Sequence, residues 1–339
     1  MKRFTSLPLL MVLIFLVLSG CSDSGGNGGT KTPLVFVSNV DSDDISVIDP
    51  DSLTVVTIDA TSAGFSLNEP RNLAINHEGT TVYVPGRFSN NIAFIDPSVP
   101  EVQSEISDTN FDEPYAVAFS SNVDEAWVVN KKGGGSNVGT VTIINTSNNS
   151  VKLTLDDTTF SSPEGIAIAN GKAYVVNRGN GSVSIVNVSS RTVLDTIMIG
   201  GEPRYAVATP NGEFVYISNS NGNIQKIRTS DNVIVKTIAV YGSRNLGASP
   251  DGSKIYAATQ SNTVSVINVS NDNISTMTFN GAFSIYAVAI INSGAKGFVT
   301  DESRDRVYVF DAMADTVLTV TGNPIEIIVG STPRAIAAH

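Results

Sequence analysis

Glu202–Gly222 reads EPRYAVATPNGEFVYISNSNG. Two short runs, Tyr205–Ala208 and Phe214–Ile217, flank Pro210-Asn211-Gly212, and a polar Ser-Asn-Ser-Asn-Gly stretch follows. Alternation bounded so tightly by Pro, Asn and Gly predicts antiparallel strands rather than helices. The same text returns as EPRNLAINHEGTTVYVPG from Glu69, EPYAVAFSSNVDEAWVVN from Glu113 and SPEGIAIANGKAYVVN from Ser162. It returns again as GSRNLGASPDGSKIYAAT from Gly242 and FSIYAVAIINSGAKGFVT from Phe283. The anchors are Pro70, Pro114, Pro163, Pro203, Ser243 and Ser284. Their spacing of about 40 to 49 residues marks a solenoid or a propeller.

Each copy continues alike. An aromatic sits in the second strand: Phe36, Tyr83, Trp127, Tyr174, Tyr216, Tyr256 and Phe298. A polar loop, an alternating strand such as Val183–Val188, a Ser/Asn/Asp turn and a fourth strand such as Thr192–Ile199 complete the unit. Four antiparallel strands per repeat make a propeller blade. The first copy, Pro33–Ile58, lacks its first strand, and TPRAIAAH at Thr332–His339 supplies it. The expectation is an all-β, seven-bladed propeller over residues 34–339, closed by its C-terminal strand, with no convincing helix. The seven aromatics are expected to pack between blades.

FVYISN at Phe214, KAYVVN at Lys172 and TVYVPG at Thr81, each followed by a VSIVN-like strand, resemble the YVTN β-propeller repeat. The resemblance covers nearly all of the chain after the leader. It implies the fold but no single activity, because that family includes surface-layer, periplasmic and lactonase-like proteins. The copies depart from its pattern where Ser243 and Ser284 replace Pro, and where NKKGGGSNVGT lengthens the third blade's loop. The triglycine Gly133–Gly135 lacks a phosphate-loop pattern and reads as a flexible hairpin.

The N-terminus is of another kind. Met1-Lys2-Arg3 is basic and Leu7–Leu18 is almost wholly apolar, the pattern of a secretory signal in residues 1–20. The apolar run is short for a transmembrane helix. LSGC at Leu18–Cys21 resembles a bacterial lipobox. That resemblance implies cleavage before Cys21 and its lipidation, hence a membrane anchor. Ser22, rather than Asp, implies sorting to the outer membrane, facing the periplasm or the cell surface. Residues 21–33 are Gly- and Ser-rich and read as a tether with a reach of roughly 20 Å.

The chain of 339 residues is 41% hydrophobic, enough for a sizeable core. Residues 1–20 carry Lys2 and Arg3, so 19 basic residues remain beyond them against 32 acidic ones, a formal balance of −13. That acidity, with no basic stripe, argues against nucleic acid as a partner. One cysteine excludes an intrachain disulfide and a two-cysteine haem attachment.

The residue after each anchor is expected near the channel mouth. Around the ring it reads Arg334, Arg71, Tyr115, Glu164, Arg204, Arg244 and Ile285. Loops after the second strand add Arg87, Lys131, Lys132 and Arg178 on the same face. Convergent arginines suit carboxylate or phosphate. The competing reading is that each Arg ties blades together or pairs with the acid before the anchor, Glu69 or Glu202. Glu164 is a counter-ion or a metal ligand. A Ca²⁺ set of Glu164, Asn72, Asn245, Asp301 and Glu302 would resemble lactonase-like propellers. His77 lies in a turn on the opposite face and His339 ends the chain, so neither builds a catalytic triad at the mouth. The expectation is a non-enzymatic, lipid-anchored scaffold without a cofactor, binding a protein, a peptide or a small anion at the arginine face. A metal-dependent lactonase-like hydrolase and a structural surface protein are the alternatives.

Overall fold

The computed structural model describes residues 33–339 apart from Asn122 and residues 134–137. The signal segment, Cys21 and nearly all of the tether lie outside the described residues. Among the described residues no helix is long and apolar enough to cross a membrane.

Seven antiparallel sheets form the ring, and strands a to d run outward from the axis in each. The sixth blade is typical: Ser243–Ala248, Lys254–Thr259, Thr263–Asn268 and Ile274–Thr278 pair in that order. The first blade takes its a strand from the far end of the chain. Pro333–Ala338 pairs Val35–Asn39, with Val35 opposite Ala338, as the repeat alignment predicts. In the seventh blade the outer strand is broken. Thr316–Val317 and Glu326–Ile328 both pair the c strand, and a small hairpin of Thr319–Val320 with Asn323–Pro324 stands between them. In the third blade the b strand runs on to Gly133 and Gly139 pairs with Gly133, so the long loop begins as a laddered hairpin. Among the described residues the one helical piece is a 3-10 turn at Ala60–Ala63, capped by the Asp59 side chain.

The b strands are buried on both faces, as in Val82–Gly86 and Ala173–Asn177, because each blade is sandwiched between two others. The outer strands alternate with solvent, as in Val233–Ala239. The core follows the same logic. Seven apolar clusters occupy the seven blade interfaces, and each contains one of the seven aromatics at 0% exposure. Burying such a ring contributes about 1.5–3 kcal/mol.

Polar latches repeat at the rim. Lys172 reaches Thr229 O at 2.6 Å, Lys254 reaches Asp315 at 2.8 Å and Lys296 reaches Pro50 O at 2.6 Å, each in the next blade. In the fifth blade Phe214 stands at the lysine position, and Lys226 on the c strand makes the bond to Asp272 instead. In the third blade the charges are reversed: buried Glu125 receives Arg191 of the next blade at 2.5 Å.

Candidate functional site

The mouth is built by an irregularity that recurs in the a strands. The ladder slips between Pro114 and Ala116, Pro163 and Gly165, Pro203 and Tyr205, and Ser243 and Leu246. Such a bulge leaves a residue out of the ladder and re-aims its side chain. Tyr115, Glu164, Arg204 and Arg244 are among the residues so released. In the seventh blade the slip falls between Ile285 and Ala287, with Ile285 opposite Asp301. Ile285 therefore takes the place of an anchor, and the equivalent of Arg204 is Tyr286, not Ile285 as the sequence alignment suggests.

The approach loops are held in unusual backbone. Glu69, Glu113, Ser162 and Thr332, each just before an anchor proline, have φ between 44° and 57°. Left-handed backbone costs a non-glycine residue roughly 1–2 kcal/mol. Side chains from b–c loops hold three of these turns: Asp43 accepts from Glu69 N, Asn90 from Glu113 N and Asp305 from Thr332 N, at 2.7 to 2.9 Å. Close approach adds a further constraint. A Cβ on Gly165 would stand 2.4 Å from the Arg204 carbonyl oxygen, so only glycine lets these two inner strands meet.

The floor is aromatic. Tyr115, Tyr205 and Tyr286 are 5–6% exposed. The hydroxyls of Tyr205 and Tyr286 are hydrogen-bonded at 2.8 Å, with their rings edge to face. The Arg71 guanidinium lies 5.1 Å from the centre of the Tyr115 ring, and Lys131 lies at 5.5 Å. Arg244 and Arg334 lie 5.8 and 5.6 Å from the Tyr286 ring. Burial, with Glu164 adding to it, pushes the Tyr115 phenol up to about 12. Burial and the neighbouring Tyr286 push Tyr205 far above the ordinary range. Both phenols stay neutral. A channel cavity of about 170 Å³ is lined by Tyr205 together with Asn72, Asn245 and Gly165.

Around this floor runs a network of ion pairs. Glu69 binds Arg71 and, at 3.0 Å, Arg87. Glu113 binds Arg87 at 2.7 Å and Lys132. Glu164, 1% exposed, receives Lys131 at 2.8 Å, Arg204 at 3.3 Å and Arg178 at 3.5 Å. Glu202 takes Arg178 at 2.9 Å and Arg204 at 3.4 Å, and Glu302 takes Arg334 at 2.8 Å. Five glutamates thus hold seven cations. Arg244 is the eighth, and its hydrogen-bond partner is the neutral Gln260. Donors also outnumber acceptors within the network: the buried Nε of Arg71, Arg178, Arg204 and Arg244 has no hydrogen-bond partner among the described residues. Burial opposes ionisation of Glu113, yet the bonds from Lys132 and Arg87 outweigh it and hold the carboxyl below its usual range. Glu202 is lowered chiefly by Arg178.

The mouth thus brings together Arg71, Arg204, Arg244, Arg334, Tyr115 and Glu164. Arg71 and Arg204 pair with the preceding acids Glu69 and Glu202, as one of the two sequence readings has it. Glu164 is a counter-ion. The alternative Ca²⁺ set is not assembled. Glu164 is enclosed by cations, Asp301 accepts from the backbone N–H of Phe283, Ser284 and Ser303, and Glu302 serves Arg334 and Ser284. Among the described residues no group of three His, Cys, Asp or Glu is arranged to hold a metal. His339 meets the carbonyl of His77 at 3.3 Å in the a–b turn region, away from the mouth. Sequence reasoning missed Tyr205 and Tyr286. The signal was in EPRYAVA and FSIYAVA, where the same tyrosine precedes Ala-Val-Ala.

No family model and no curated protein matches the sequence. Solved structures do resemble the fold. A functionally unknown protein of Desulfotomaculum acetoxidans is 18% identical at a TM-score of 0.72, over 90% of this chain and 98% of that one. Hydrazine synthase of Kuenenia stuttgartiensis is 16% identical at 0.69, over 81% and 91%. A candidate 6-phosphogluconolactonase of Bacteroides fragilis is 15% identical at 0.67, over 93% and 100%. At such identities these likenesses speak for the seven-bladed fold alone.

Proposed function

We propose that this chain is a lipid-anchored envelope propeller of YVTN type that acts as a binding scaffold, and that its tyrosine-floored, arginine-rich mouth takes a carboxylate- or phosphate-bearing ligand. The observation that carries the reading is the shortage of acceptors: seven cations share five glutamates, and Arg244 has only Gln260. Cations fixed in advance and short of acceptors favour an entering anion, because little ordering remains to be done on binding. Planar guanidinium groups favour carboxylate or phosphate. The lipobox-like LSGC and Ser22 support an outer-membrane location.

The lactonase reading draws on the fold neighbour described in those words. It needs a carboxylate free to bind metal or move a proton, and Glu164 is committed to Lys131, Arg178 and Arg204.

The test is a thermal-shift screen of the full chain in mild detergent with succinate, phosphate, a sugar acid and Ca²⁺. A ligand at a hundredfold excess over its Kd stabilises the folded state by about 2.7 kcal/mol. The reading expects a rise in Tm with anions that Arg204→Ala and Arg244→Ala together abolish. A shift with Ca²⁺ alone, or an anion shift indifferent to those substitutions, would refute it.

A further inference from the structure

The network is uneven around the ring. Blades two to five carry Glu69, Glu113, Glu164 and Glu202 beside their cations. In the sixth blade the residue before the anchor is Gly242, and Arg244 pairs with no carboxylate among the described residues. In the seventh, Arg304 makes no ion pair among the described residues, and its guanidinium stacks on Phe283 at 4.3 Å from the ring centre. The same sector presents two large aromatic side chains to solvent, Tyr241 at 82% and Phe283 at 64% exposure. Each has a near neighbour. Phe283 N donates to Asp301 at 2.8 Å. The Tyr241 ring lies so close over Gly222 that a Cβ there would come within 2.7 Å of it.

We infer that the mouth face of blades six and seven is a docking surface for a partner protein that presents an acidic segment with interspersed apolar side chains. This rests on the anion reading of the mouth and extends it to a partner. Exposed aromatics in a sector that also carries arginine are the composition of binding hot spots. Arg244 and Arg304 supply charge complementarity to acidic groups, and Tyr241 and Phe283 give the apolar residues a place to bury. The Phe283 ring already has the Arg304 guanidinium over it, which favours insertion among protein side chains over stacking on a sugar.

The experiment is fluorescence anisotropy on the full chain in mild detergent. The probes are a labelled peptide alternating Glu with Leu and one of equal length and charge alternating Glu with Gly. Oligogalacturonate is the competitor. The expected result is binding of the Glu/Leu peptide about thirtyfold more tightly, the size of one hot-spot contact. Tyr241→Ala with Phe283→Ala should erase that margin and leave binding of the Glu/Gly peptide and of succinate unchanged. Equal affinity for the two peptides, or a margin that survives the double substitution, overturns the docking surface. So does oligogalacturonate binding more tightly than either peptide. Succinate binding reports on the mouth alone and the Leu margin on the docking surface alone, so the two failures are told apart.

Discussion

Replacing Glu164 with Gln should lower stability and raise anion affinity in the same protein. The carboxylate is 1% exposed and accepts from Lys131, Arg178 and Arg204. Gln keeps the volume and one acceptor oxygen but removes the shared negative charge, leaving the three cations facing one another. Breaking a buried pair by removing one partner costs about 3–5 kcal/mol. At roughly 2–4 °C per kcal/mol for a large domain, Tm should fall by about 10 °C. Glu202→Gln is the control. Glu202 also contacts Arg178 and Arg204, but its side chain is 55% exposed, so solvent screening limits the loss to about 1 kcal/mol or less. Thermal unfolding followed by circular dichroism measures both, and succinate titration of each variant measures affinity. A Glu164→Gln protein within 1 °C of wild type would refute the reasoning, since about 0.3 kcal/mol is too little for a buried counter-ion. So would a variant that binds succinate less tightly than wild type, because removal of a negative charge from the mouth must favour an incoming one.

Three further outcomes follow from the same geometry. Glu125→Lys sets a cation against Arg191 across the third interface and should cost about 3–5 kcal/mol, and adding Arg191→Asp should recover more than half of it, restoring the polarity of Lys254 with Asp315; a denaturant double-mutant cycle with no coupling would contradict the latch. Glu113 has a lowered pKa in the fold, so its contribution is present above the unfolded value of about 4.3 and is lost as pH falls through the lower folded value; Tm should hold from neutrality to about pH 5 and fall below pH 4, less steeply in Glu113→Gln. Truncation after Ser331 removes Pro333–Ala338 and exposes the edge of Val35–Asn39, and size-exclusion chromatography should show larger species than the intact chain gives.

The ring was legible in the sequence because each blade repeats one demand. A b strand buried on both faces must be apolar throughout and carry one large residue at its centre, so Tyr174, Tyr216 and Tyr256 align without gaps. The strand borrowed by the first blade was legible because TPRAIAAH has the anchor that Pro33–Ile58 lacks. The mouth was half legible. Arg71 and Arg204 could be placed, and Glu69 and Glu202 named as partners, from Glu-Pro-Arg. Glu164 could be named as a counter-ion, but not which cations it would hold, since its contact with Arg204, 40 residues along the chain, arises only when blade five packs on blade four. In the seventh blade the text pointed to Ile285, whereas the ladder slip puts Tyr286 at the mouth position, a shift of register that leaves the surrounding text unchanged. The reversed pair Glu125 and Arg191 was likewise invisible, being a contact between turns of neighbouring blades.

The claim that the mouth is a preformed anion site is tested most directly at the arginine side chains. Two-dimensional NMR resolves arginine Nε–H groups, and titration with succinate reports on each guanidinium separately. The account predicts shifts at Arg204 and Arg244, with smaller ones at Arg71 and Arg178, and none at Arg228, whose partner Asp231 lies on an outer turn of the fifth blade. Shifts at Arg228 equal to those at the mouth, or an unmoved Arg244, would contradict it.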